Sequence, residues 1–132
     1  MASSSLTPYK NSTEQETFSL VSTSGSGAKY MVSGRSLANP FVIECQRKLT
    51  PATASGNDHV VLRLARTESN ATTSKLATCQ VLVDVSIPKD TSVLTATVQK
   101  ELVALAASLL NEATAMEATN ANITALVEGR DL

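Results

Sequence analysis

The 132-residue sequence predicts an α+β fold: an antiparallel meander sheet that begins with an N-terminal hairpin and is followed by two C-terminal helices. Three observations predict it. Short runs of alternating apolar and polar residues follow one another as far as Ile87, joined by polar loops with no helical pattern between them. After Pro88 the period changes, and Val98, Leu102, Leu105 and Leu109 are spaced 4, 3 and 4 apart, a helical stripe widened by Val103, Ala106 and Leu110. Hydrophobic residues make up 42% of the chain but aromatics only 3%, with no Trp, so a globular core must be built from Val, Leu, Ile and Ala.

Taken in order, residues 1–15 are rich in Ser and Thr and are expected to form a flexible N-terminal arm. Residues 16–132 are expected to form a single domain, with sheet over about 16–88 and helices over about 91–129. "TFSLVST", "SGSG" and "AKYMVSG" read as a hairpin around a Gly-containing turn. "FVIECQRKL" (Phe41–Leu49), entered through Asn39-Pro40, is a strand, and "TPATASGND" is a polar loop. "HVVLRLAR" (His59–Arg66) is the next strand and "TESNATTSK" the next loop. "LATCQVLVDVSI" (Leu76–Ile87) is the longest strand. The main helix starts within Thr91–Thr97 and runs to about Asn111. A second covers about Ala115 to Glu128, with Met116, Ile123, Leu126 and Val127 as its apolar positions and Gly129 suited to its C-terminal end.

Strand parity sorts the side chains into two faces. One collects Phe41, Ile43, Cys45, Val60, Leu62, Leu64, Cys79, Val81, Val83 and Val85 and is a core face, on which both cysteines are expected as buried free thiols. The other collects Val42, Glu44, Gln46, Lys48, Val61, Arg63, Ala65, Gln80, Leu82 and Asp84. Such a mixed face can meet solvent or a polar ligand.

Composition narrows the function. A formal net charge of -1 gives no bulk affinity for nucleic acid or an anionic membrane, so binding of either needs a local patch. No apolar run approaches the ~20 residues needed to span a bilayer. "MASSSLTPYKNSTEQE" lacks the apolar core of a signal peptide, so the chain is expected to be made and kept in a cytoplasm, and the sequons at Asn11, Asn70 and Asn122 are chance. Cys45 and Cys79 are too few and too far apart for a metal site or a disulfide framework. "GSGAK" (Gly25–Lys29) has the wrong spacing for a phosphate loop and no Ser or Thr after the Lys; it reads as a hairpin turn. His59 lacks the nucleophile and orienting group that catalysis would need. No enzyme, cofactor, metal or small-molecule substrate is expected.

The order of hairpin, long meander strands, Pro and a Leu/Ala-rich helix resembles the coat proteins of single-stranded RNA bacteriophages, the levivirus group. "FVIECQRKL" with "HVVLRLAR" is similar to that family's central strand pair. "CQVLVDVSIP" leading to "VQKELVALAASLL" is similar to its last strand and first helix, and the pattern V-x-x-E-L-x-A-L-x-A-S (Val98–Ser108) is close to one branch of it. The resemblance covers roughly residues 16–128. Two departures stand out. "GRSLANP" is short, so one strand of the family sheet is expected to be missing or stubby, and "TESNATTSK" has no cysteine to join subunits.

The resemblance implies an interlocked homodimer in which each chain's helices pack on the partner's sheet, with Val98, Leu102, Leu105 and Leu109 at the dimer interface. It implies a virion protein, assembled in the bacterial host cytoplasm into an icosahedral shell around single-stranded RNA, and able to repress translation through an RNA operator hairpin. By strand parity it carries RNA contact to Lys48, Gln46, Glu44, Arg63, Val61 and Gln80. Lys and Arg there would meet phosphates, Gln could reach base edges, and no aromatic sits on these strands at that parity to stack a base. The competing view of the same face is an ordinary solvated sheet surface. "TESNATTSK" carries the family's assembly loop under the first view and is an ordinary solvent loop under the second. The competing function is a small cytoplasmic dimeric module that binds a ligand or a protein.

Overall fold

The computed structural model describes residues 3–11, 13–48, 56–110 and 125–128. They contain β1 (Ser5–Leu6), β2 (Phe18–Ser24), β3 (Gly27–Val32), β4 (Phe41–Lys48), β5 (Asn57–Ser69), β6 (Leu76–Pro88) and α1 (Ala96–Leu109). The strands form one sheet in chain order, each antiparallel to the next. The predicted meander and its following helix are therefore present. The chain divides into two compact units, Met1–Thr7 with Thr17–Lys89, and Pro8–Glu16 with Asp90–Leu132. The sheet makes up the first.

The pairing has clear local causes. Between β2 and β3 the chain turns through Gly25 and Ser26, and the register slips between Leu20 and Ser22, leaving Val21 as the extra residue. Gly27 is required next to it, because a Cβ there would run into the Cys45 carbonyl oxygen of β4. Residues 33–40, the short segment flagged in the sequence, hold no strand. Arg35 fastens them instead: Nε donates to Asn39 O at 2.7 Å and Nη2 to Thr67 O at 3.2 Å, and the guanidinium also pairs with Glu68. Arg66 Nε reaches the same Glu68 oxygen at 2.8 Å. Hydrogen bonds from Arg35 first and Arg66 second hold the Glu68 carboxyl below its usual range.

The loop expected over 67–75 is shorter than read. Thr67, Glu68 and Ser69 continue β5 and pair with Thr78, Ala77 and Leu76, and the Thr67 and Thr78 hydroxyls meet at 2.8 Å. Polar side chains hide this extension from a search for apolar alternation. The remaining turn is organised by Asn70, whose Oδ1 accepts from the amides of Thr72 at 2.8 Å and Thr73 at 2.9 Å. Asn70 N donates to Lys75 O, Ser74 N to Asn70 O, and Ser74 closes the turn in the left-handed region at φ 58. Asn70→Ala removes both side-chain acceptances. It should lower stability by about 1 kcal/mol, by analogy with loss of a capping side chain, read as an earlier midpoint in urea.

Parity gives the observed faces. The apolar cluster of Phe18, Tyr30 and Ile43, packed by Leu6, Leu20, Ala28, Val32, Phe41 and Leu64, lies on the predicted core face. Burial stops towards β6, where Leu62, Val81 and Val83 share that face but are 41%, 55% and 46% exposed. The cysteines follow suit: Cys79 is exposed and Cys45 half-buried, which corrects the expectation of buried thiols. Their parity is right, but Cys79 stands on the uncovered edge strand. The opposite face is not wholly polar either, since the paired residues Val42 and Ala65 are buried.

In the second unit, Asn11 organises a small turn by accepting from the amides of Thr13 and Glu14, and a bridge joins Tyr9 to Gln15. Asp90 caps a turn through the amide and hydroxyl of Ser92, which hold its carboxyl below the usual range. α1 starts inside the predicted window, with Thr95 as N-cap accepting from the amide of Val98. It has no buried residue. Most of the expected second helix, and Gly129, lie outside the described residues; 125–127 are helical.

Candidate nucleic-acid interface

All six side chains assigned by parity fall on one face, and the register arranges them in rows. Lys29, Glu44, Arg63 and Leu82 form one row across β3 to β6. Beside it run Gly27, Gln46, Val61 and Asp84, and then Lys48, His59 and Ser86. Gln80 sits across from Ala65 in the row on the other side.

The charges on this face are largely occupied with one another. Lys29 Nζ and Arg63 Nη1 lie 3.6 and 3.4 Å from Glu44 Oε1, and Arg63 Nε donates to Gln80 Oε1 at 3.0 Å. Lys48 is exposed and has no ion pair among the described residues. It lines an open concavity of about 550 Å³ together with Ser26, Gln46, Arg47, His59, Val61 and Asp84. This end of the face offers an ammonium for a phosphate and an exposed amide, Gln46, that can both donate to and accept from a base edge.

Two residues here were absent from the assignment. Lys29 comes from the hairpin; its signal was there, because Ala28 and Tyr30 alternate with it and face the core. His59 is paired opposite Lys48 and is, among the described residues of this face, the one ring on which a base could stack, which corrects the view that none exists. Its Nδ1 lies 3.1 Å from Asp84 Oδ1. The neighbouring Ser86 hydroxyl accepts from Asn57 Nδ2 at 2.7 Å, and among the described residues no hydroxyl or thiol is hydrogen-bonded to the His59 ring. Among the described residues no group of His, Cys, Asp and Glu could hold a metal.

The second predicted surface is the stripe on α1. Val98, Leu102, Leu105 and Leu109 are 36%, 55%, 65% and 53% exposed. The helix ends near Leu110 and is too short and too little apolar to cross a membrane, as no described helix is long and apolar enough to do so.

No family model and no curated protein matches the sequence. Solved structures do match. A chain of the virus-like particle of Beihai levi-like virus 21 superposes with a TM-score of 0.72 at 13% identity, covering 98% of this chain and 96% of that one. The virus-like particle of bacteriophage ESE020 gives 0.69 at 16% identity, over 98% and 97% of the two chains. That of bacteriophage NT-214 gives 0.65 at 17% identity, over 97% and 95%. Such low identity with such complete coverage is a statement about architecture: this chain has the levivirus-type coat-protein fold.

Proposed function

We propose that the chain is a structural capsid subunit of a bacteriophage virion, one that dimerises, assembles into an icosahedral shell in the bacterial cytoplasm and encloses single-stranded RNA. The observation that carries this is end-to-end likeness, over 98% of the chain, to a protein solved as a virus-like particle. Exposed apolar surface supports it. An α1 with no buried residue, and a β6 whose Val81 and Val83 are half-exposed, leave apolar area that water disfavours at roughly 25 cal/mol per Å². A second copy of the chain is the occupant, with Val98, Leu102, Leu105 and Leu109 at the seam. Stability is then inseparable from association.

The face bearing Lys48, Gln46, Arg63, Val61 and Gln80 is the RNA side. Its few free cations favour sequence-independent lining of a shell, and translational repression through an operator hairpin would use the same face. The test is expression of the full chain alone, followed by electron microscopy and size-exclusion chromatography. Particles of megadalton size with absorbance tilted towards 260 nm are expected. A small dimer without nucleic acid would return the reading to a cytoplasmic ligand- or protein-binding module. Within the capsid reading, Lys48→Ala should lower the slope of log affinity against log salt by about 0.7, the share of one phosphate on a single strand.

A further inference from the structure

Glu44 stands in the middle of this face with a cation on each side. Lys29 on β3 and Arg63 on β5 are its register partners, and both approach the same oxygen, Oε1, at 3.6 and 3.4 Å. Arg63 is committed further through Nε to Gln80 Oε1 at 3.0 Å. The carboxylate is the most shielded of the three, its side chain 24% exposed against 43% for Lys29 and 34% for Arg63. An anionic oxygen held between an ammonium and a guanidinium is the arrangement that a backbone phosphate would itself adopt here.

From this we infer that Glu44 is an internal competitor for RNA phosphate and not an RNA contact: it occupies Lys29 and Arg63 and thereby sets the affinity and salt response of the face. The inference rests on the RNA-side reading above. A phosphate arriving at Arg63 must displace Glu44 and then remain beside a carboxylate of like charge. Little is gained by the exchange, so binding concentrates at Lys48, whose ammonium has no such competitor among the described residues. Cross-strand ion pairs also support sheets, but partly exposed pairs contribute only about 0–1 kcal/mol, so Glu44→Gln should keep the fold.

The test uses the full-length chain below the concentration at which particles form, titrated into a fluorescein-labelled oligouridylate across a salt series. Glu44→Gln should bind about tenfold tighter at low salt, the worth of one charge-assisted contact. Its log–log salt slope should steepen by about 1.4, two newly available cations at about 0.7 each. Combining it with Arg63→Gln should remove about half of that steepening. Asp84→Asn removes the same formal charge but releases no Lys or Arg, so it should raise affinity without steepening the slope. If the wild type binds and Glu44→Gln leaves its slope unchanged, the competitor role is overturned while the RNA reading stands. If neither protein binds at the lowest salt, the RNA reading falls and takes this inference with it.

Discussion

Leu105→Glu is expected to abolish assembly, leaving a chain that no longer elutes as a dimer or a particle. Leu105 is 65% exposed in the single chain and lies mid-stripe between Leu102 and Leu109 on α1. In a symmetric dimer the substitution acts twice. Loss of burial at about 1.5–3 kcal/mol per leucine removes roughly 3–6 kcal/mol per dimer, a factor of about 10² to 10⁴ in dissociation constant. Burying the new carboxylate without a partner adds several kcal/mol more, or forces it to stay protonated. Light scattering on the eluted protein reads the result. Lys100→Gln, on the same helix but off the stripe, serves as the matched control and should assemble normally. Intact particles from Leu105→Glu would show that the stripe is no seam, whatever the fold.

What could be read from the chain and what could not divide along a physical line. Strands whose alternation is apolar and polar were legible: Phe41–Lys48 begins at its predicted first residue, with the predicted last residue, Leu49, outside the described residues, and Leu76–Pro88 gained only Pro88. Parity also brought Glu44, Gln46, Val61 and Arg63 to one face without any coordinates, because the side-chain period of a strand is two. The register that sets Glu44 opposite Arg63 and Gln46 opposite Val61 comes from the structure. Elements held by polar groups were not legible. Ser5–Leu6 joins the sheet by pairing two residues with Ser19 and Phe18, and Thr67–Ser69 extend β5 without apolar alternation. The same limit applies to the candidate site. Parity brings Glu44, Arg63 and Lys48 to one side, but only distances reveal that Glu44 engages Lys29 and Arg63 and leaves Lys48 alone. Exposure of Cys79 was hidden for another reason. Parity says which face a residue joins, and not whether this chain supplies the cover.

Phe18→Ala should be the most damaging single substitution in the sheet. Phe18 is 1% exposed and is the anchor of the apolar cluster with Tyr30 and Ile43. Its ring meets Phe41 edge-on, with centroids 4.9 Å apart and planes at 87°, a geometry that adds to simple burial. Arg35 and Arg66 lie over the other ring, 5.8 and 5.2 Å from the Phe41 centroid, so the cluster is also where the 33–40 segment is fastened. Truncating a buried phenylalanine costs about 3–5 kcal/mol in lost transfer and cavity energy. A domain of this kind has only about 5–15 kcal/mol in all. The neighbouring rings, Tyr30 and Phe41, are already packed in the same cluster, so the space left by Phe18 is not readily refilled. The expected result is a chain that is largely unfolded or insoluble at 37 °C, with any folded fraction melting at a much lower urea concentration. Leu62→Ala provides the comparison. Leu62 shares the face but is 41% exposed, so in the unassembled chain it should cost well under half as much. Equal losses from the two variants in a chain kept single by Leu105→Glu would mean that the chain itself covers β5 and β6, whereas in the associated protein a partner's cover should bring the Leu62→Ala loss up towards that of Phe18→Ala.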